Sequence, residues 1–151
     1  MIDEVLSKLL NEGCLAKSRE LHLLEKELVS LGKLQRKEPK TYLTKYDILF
    51  RYVSIWLFWQ GYVLTNLKPH KVFQKVCSYF SDNQVVNEII SYRHSLKYDN
   101  LLPSEKAEKN LALLTQKFKD LLDRNEQYKK YRNFTKKHNN SLQHWLGEKQ
   151  G

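Results

Sequence analysis

Ile48-Leu49-Phe50-Arg51-Tyr52-Val53-Ser54-Ile55-Trp56-Leu57-Phe58-Trp59-Gln60-Gly61-Tyr62-Val63 decides the fold, because it is apolar on nearly every face of a helix and carries one charged residue, Arg51. A small chain tolerates such a helix only at its centre or in a dimer interface. Trp56, Trp59, Phe50 and Phe58 would supply most of its burial. Arg51 either pairs with an acid, extends its charged head to the surface or faces a site, and the first two are favoured. Immediately upstream, Thr44-Lys45-Tyr46-Asp47 resembles a helix start: the threonine hydroxyl can accept from an early backbone N–H, and the acid lies near the positive end of the helix dipole.

Outward from this centre the chain reads as further helices. Ile2, Val5, Leu6, Leu9 and Leu10 repeat at helical spacing up to Gly13, and Leu21, Leu24, Leu28 and Leu31 resume the stripe, giving one bent helix or two stacked ones. Residues 32–40 lose the stripe, gain charge and contain Pro39, so they form a connection. On the other side, Gly61, Asn66 and Pro69 interrupt the chain, and His70 opens a helix with Val72, Phe73, Val76, Cys77 and Phe80 on one face. Val85, Val86, Ile89, Ile90 and Leu96 mark the next. Ser104 can cap a helix whose first turn holds Glu105 and Glu108 and whose stripe is Ala107, Leu111, Leu114, Phe118, Leu121 and Leu122.

The whole chain, 151 residues, fits one domain with a core of its own. Five glycines and three prolines are few for this length, and the abundance of Leu, Lys and Glu favours helices. The expected class is all-α, an antiparallel bundle of about four to six helices. Cys14 and Cys77 are isolated, which supports neither a disulfide framework nor a thiolate zinc site. The histidines His22, His70, His94, His138 and His144 lack metal-ligand spacing, so no metal and no cofactor are expected. There is no glycine-rich phosphate loop, no G-x-S-x-G turn and no Cys-His arrangement. Asp3 and Glu4 precede the first apolar residues, unlike a basic signal-peptide start, and no charge-free run is long enough to cross a bilayer. The expectation is a cytoplasmic protein with no membrane role.

The formal net charge of +9 concentrates polyanions around the molecule. Two stretches carry that charge in a form able to do chemistry. In Ser91-Tyr92-Arg93-His94-Ser95-Leu96-Lys97-Tyr98-Asp99 an arginine, an imidazole and a phenol gather around a helix end. Beyond Asn125 the chain turns basic and aromatic, with Tyr128, Lys129, Lys130, Tyr131, Arg132, Phe134, Lys136 and Lys137. That strip can grip a polyanion by charge and stacking, or form a plain solvated helix.

The order of these features resembles the HEPN superfamily of small helical bundles. The matching order is the packed helix from Ile48, Gly61-Tyr62 and a loop to His70, the helix ending in Arg93-His94-Ser95-Leu96-Lys97-Tyr98-Asp99, and the capped helix from Ser104. The likeness covers roughly residues 44–124 as a core, leaving residues 126–151 as a basic extension. It implies a homodimer, with an interface using the helices around Trp56 and Arg93, and RNA or nucleotide as partner. In nucleases of the superfamily an arginine, followed by a polar residue and then by a histidine a few residues on, cleaves RNA without metal. Here Arg93 matches the arginine, His94 takes the polar position, and Tyr98 stands where the histidine would be; some members share this Tyr-Asp pattern.

That departure bears on the chemistry. Attack of a ribose 2′-hydroxyl needs a base near neutral pH, a proton for the leaving oxygen and a fixed positive charge beside the transition state. Arg93 can supply the charge. A phenol with a pKa of about 10 is a poor base, although it can donate a hydrogen bond. His94 has suitable acidity, yet adjacent residues point about 100° apart on a helix, so Arg93 and His94 converge only at a helix end or across two subunits. Catalysis by Arg93, His94 and Tyr98, binding through Arg93 and Lys97, and a structural cluster with Asp99 paired to Arg93 all remain open. His70, beside Pro69, reads as a capping or packed histidine, although the resemblance places a histidine there. The tail offers a rival match, Arg132-Asn133-Phe134-Thr135-Lys136-Lys137-His138, but it follows the last packed helix instead of preceding it. Lys129, Lys130, Arg132, Lys136 and Lys137 are therefore candidate nucleic-acid contacts only. A noncatalytic protein-interaction module, such as a partner in a toxin–antitoxin or defence complex, is the alternative on the same bundle.

Overall fold

A computed structural model describes residues 1–98 and 104–137, with side chains of Tyr98 and of 134–137 outside the description. The elements are α1 (Ile2–Asn11), β1 (Leu15–Lys17), α2 (Leu21–Gln35), α3 (Tyr42–Trp59), β2 (Tyr62–Leu64), α4 (Pro69–Phe80), α5 (Asn83–Tyr98), α6 (Glu105–Asp123) and α7 (Glu126–Lys137). The protein is thus mostly helical, with two short strands. Among the described residues no helix is long and apolar enough to cross a membrane.

The apolar run lies at the centre. α3 packs most extensively on α2 and α6 and also touches α4, α5 and β2, and twelve of its residues are buried. Trp56 is 5% exposed and sits edge-on to Phe80 and Phe118, with ring centroids 5.4 and 6.0 Å away. Such a site is worth several kilocalories: truncating a buried tryptophan to alanine typically costs about 3–5 kcal/mol. The aromatic face expected to serve a dimer interface around Trp56 is therefore spent within this chain's own core. Arg51 takes the first of its expected options, its Nη1 donating to both carboxylate oxygens of Glu27 on α2 at 3.2 and 3.0 Å.

α3 starts earlier than the Thr44 reading places it. Thr41 is the cap, its hydroxyl accepting from the Thr44 N–H at 3.2 Å. The extra turn is held by tertiary contact, since Tyr42 is buried and its hydroxyl donates to the Ile89 carbonyl at 2.8 Å. At its other end the helix stops at Trp59, and Tyr62–Leu64 pairs antiparallel with Leu15–Lys17, Leu15 opposite Leu64 and Lys17 opposite Tyr62. Gly13 and Gly61 lead into these strands at φ of 80° and 94°, a conformation that glycine adopts without a Cβ penalty. The strand pair resolves the first thirty-five residues into two separate helices, α1 and α2, joined by β1.

α4 and α5 are joined through Ser81 and Asp82, whose carboxylate accepts from the backbone N–H of Gln84 at 2.7 Å. Ser104 caps α6 as expected, accepting from the Ala107 N–H at 3.1 Å. Ala107, Leu111, Leu114, Phe118 and Leu122 are all buried against the core. Both cysteines are buried free thiols, and burial pushes the Cys77 thiol far up.

Candidate functional site

α5 continues as a helix through Tyr98, so it does not end at Arg93 and His94 and does not bring them together that way. Arg93 is half-buried and its guanidinium lies over the ring of Tyr46, 5.0 Å from the centroid. His94 is exposed, and Lys97, one turn beyond Arg93, is exposed as well. Tyr98 closes the helix, and Asp99 lies outside the described residues. Among the described residues Arg93 forms no ion pair; its charge is held by the face of an aromatic ring, which attracts a cation without neutralising it.

Tyr46 comes from α3 and is fully buried. It sits over Phe73, with centroids 5.0 Å apart, and its hydroxyl stands 3.5 Å from Nδ1 of His70, at the outer limit of a hydrogen bond. Burial pushes its phenol far above the usual range, and Arg93 acts against that shift without overcoming it. Tyr46 is thus a phenol held in its protonated form and a platform for the guanidinium.

His70 is positioned by sequence chemistry at the start of α4. Pro69 occupies the first turn, where its missing N–H costs nothing, and the side chain of Lys68 makes no capping bond. The positive end of the α4 dipole therefore lies beside the imidazole. Phe50 packs against His70 at 5.4 Å between centroids. Burial lowers the His70 pKa, and Arg93 and then Lys97 lower it further, while Asp47 opposes them. The imidazole is consequently neutral at neutral pH. If the Tyr46 hydroxyl donates to Nδ1, Nε2 carries the proton and can donate to a ligand. With the other tautomer Nδ1 donates to the phenol, and Nε2 is free to act as a base.

Three positive contributions converge on the neutral His70: the Arg93 guanidinium, the Lys97 ammonium and the start of α4. Asp47, exposed on α3, is the acid that faces them. Arg93 was legible in the sequence. Tyr46 was read only as part of a helix start, and His70 as a capping or packed histidine, of which the packed form is the one found. The available signal was the spacing of Tyr46 and Phe50, four residues apart on α3, which puts two aromatic rings on the face that receives α4.

The basic strip behaves differently. On α7 the Arg132 Nη1 donates to Asp123 at 3.0 Å, and its guanidinium lies 5.5 Å from the Tyr128 ring centroid. Lys129 reaches Glu126 at 3.7 Å, while Lys130 is exposed. The side chains of Lys136 and Lys137, and all of His138, lie outside the described residues, and with them the rival Arg132-to-His138 match. α7 is held to the core by Tyr128 and Tyr131, each 6.0 Å from the Trp59 ring.

Among the described residues no group of three or more His, Cys, Asp or Glu is placed to hold a metal. Comparison of the chain with protein-family models, curated proteins and solved structures finds no match to any of them.

Proposed function

We propose that the protein binds RNA or a nucleotide through a phosphate at the junction of α3, α4 and α5, with Arg93 as the phosphate-facing residue. The observation that carries this reading is the Arg93 guanidinium, half-buried over Tyr46 and unpaired with any acid among the described residues, next to a neutral His70. A guanidinium held by a ring face instead of an acid keeps its N–H groups for a ligand, and an arginine fork can give a phosphate two parallel bonds. Lys97 and the positive end of α4 extend the same field. The +9 net charge of the chain adds long-range attraction.

The HEPN resemblance supports the same reading and adds cleavage without metal. In this chain the base for that step would be His70 instead of Tyr98 or His94: Nε2 would take the ribose 2′-proton as O2′ bonds to phosphorus, Arg93 would stabilise the phosphorane-like charge, and the P–O5′ bond would break to leave a 2′,3′-cyclic phosphate and a 5′-hydroxyl protonated by water. The protein-interaction alternative loses its main support, because the aromatic helix expected to meet a partner is buried around Trp56.

Incubating the wild-type protein, Arg93→Ala and Arg93→Lys with a mixed single-stranded RNA pool in EDTA tests this, reading retention and cleavage together. Wild type is expected to retain RNA, Arg93→Ala to lose it, and Arg93→Lys to recover part, since lysine restores the charge without the planar fork. Equal retention by wild type and Arg93→Ala would overturn the site; retention without cleavage would leave a binding protein.

A further inference from the structure

Away from this site, α2 and α3 face one another across stripes that do not close. Leu23, Lys26, Glu27 and Ser30 on α2 and Arg51, Ser54 and Phe58 on α3 line a cavity of about 340 Å³, walled on one side by Val63 and Leu64 of β2. The two small serines leave room where larger apolar residues would interlock. Ser54 is 7% exposed, and its Oγ is buried with no hydrogen-bond partner among the described residues. A helical serine commonly bonds the carbonyl four residues back, and a hydroxyl left unsatisfied in a core is destabilising. An alanine would serve the packing better.

The charges of the cavity are equally uneven. Only Nη1 of Arg51 is spent on Glu27, which leaves its other N–H groups without partners among the described residues. Lys26 and Arg51 against Glu27 leave one net positive charge at the lining. A neighbouring hollow of about 360 Å³ shares Ser30 and Arg51 and adds Lys33 and Lys37 against Asp47, so the charge is positive there too. Leu23, Phe58, Val63 and Leu64 supply an apolar wall. Cavities of this size with a few convergent polar groups are the usual form of small-molecule sites.

We infer that the α2–α3 cleft binds a small carboxylate with an apolar body. Its carboxylate accepts from the unspent N–H groups of Arg51 and from the Ser54 hydroxyl once rotation about χ1 turns that buried Oγ to the cavity, with Lys26 at the mouth, and its body lies on Phe58 and Leu23. One net positive charge and a single buried hydroxyl suit a monoanion better than a phosphate, which calls for more donors. The site is independent of Arg93 and stands whether or not the chain binds RNA.

The test uses the full chain, nitrogen-15 labelled, titrated with 3-phenylpropionate and with its uncharged counterpart 3-phenylpropanol. The acid is expected to shift amides of residues 23–30 and 51–58 saturably at millimolar concentration, and the alcohol to bind about tenfold more weakly. Ser54→Ala is expected to fold with an unfolding temperature equal to or above wild type and to lose roughly fivefold to tenfold in affinity for the acid. Ser30→Leu, which fills the cavity from its more accessible side, should abolish binding. Absence of saturable shifts at these residues, equal binding of acid and alcohol, or unchanged affinity in Ser54→Ala would each overturn the inference.

Discussion

Arg93 on α5 and Arg132 on α7 both stood out in sequence as possible phosphate contacts, Arg132 in the far more basic stretch, yet their surroundings in the fold differ. Arg132 is bonded to Asp123 and leans on Tyr128 at the surface, so its charge is largely answered within the chain. Arg93 rests on the buried Tyr46 ring, beside a histidine that it helps keep neutral, with no ion-pair partner among the described residues. A run of lysines and arginines is therefore a poor guide to available charge. What matters is whether the fold supplies an acid or a ring beneath each cation.

The comparison breaks most readily by mutation. Arg93→Ala is expected to weaken single-stranded RNA binding about tenfold to a hundredfold, the worth of charge-assisted bonds to one phosphate, while Arg132→Ala changes it less than about threefold. Fluorescence anisotropy at fixed salt measures both, and the reverse order would transfer the site to α7. Next in size is the anchoring of α7. Tyr131→Leu removes one of the two ring contacts on Trp59 and should cost about 0.5–1.5 kcal/mol by chemical denaturation, leaving RNA affinity unchanged. A loss of affinity would mean that α7 itself forms part of the interface.

Titration of His70 sharpens the comparison further. Its folded pKa lies below the ordinary 6.5, so the unfolded chain takes up the proton first on acidification. The stability contributed by neutral His70 is present in full above that value and is lost as pH falls from it through the lowered folded pKa. His70→Gln should flatten this part of the stability profile. RNA phosphate placed beside the ring favours the charged imidazole, so binding should raise the His70 pKa, measurable by proton NMR. An unchanged pKa in the complex would remove His70 from the site. The smallest effect expected is that of Arg132→Ala on stability, under about 1 kcal/mol, as for exposed ion pairs generally, and calorimetry can check it.

Much of the helical framework was legible because it is written locally. The Ser104 cap, the stripe from Ala107 to Leu122 and the centrality of the Ile48 run each follow from residues a few positions apart. The features missed depend on distant partners. Leu15–Lys17 and Tyr62–Leu64 are three-residue strands that exist only through pairing with each other, and nothing within either stretch announces it. The earlier start of α3 is fixed by the bond from Tyr42 to Ile89 on another helix.

The site shows the same division. Arg93 stood out as an arginine beside a helix end, but the groups that define its surroundings come from α3 and α4. Tyr46 and His70 carry no motif of their own, and their significance arises when packing with Phe50 and Phe73 sets Tyr46 under Arg93 and His70 within reach of its charge. Conversely, the adjacent His94 looked useful in sequence and is turned outward by the continuing helix.

The most direct measurement is an NMR titration of the full chain with a short single-stranded RNA, following the Arg93 and Arg132 side-chain Nε–H signals and the His70 ring in one sample containing EDTA. Arg93 and His70 are expected to shift together and saturate at one stoichiometry, with Arg132 unmoved. Saturating shifts at Arg132 with Arg93 and His70 unmoved would contradict the assignment of the phosphate site to the junction of α3, α4 and α5.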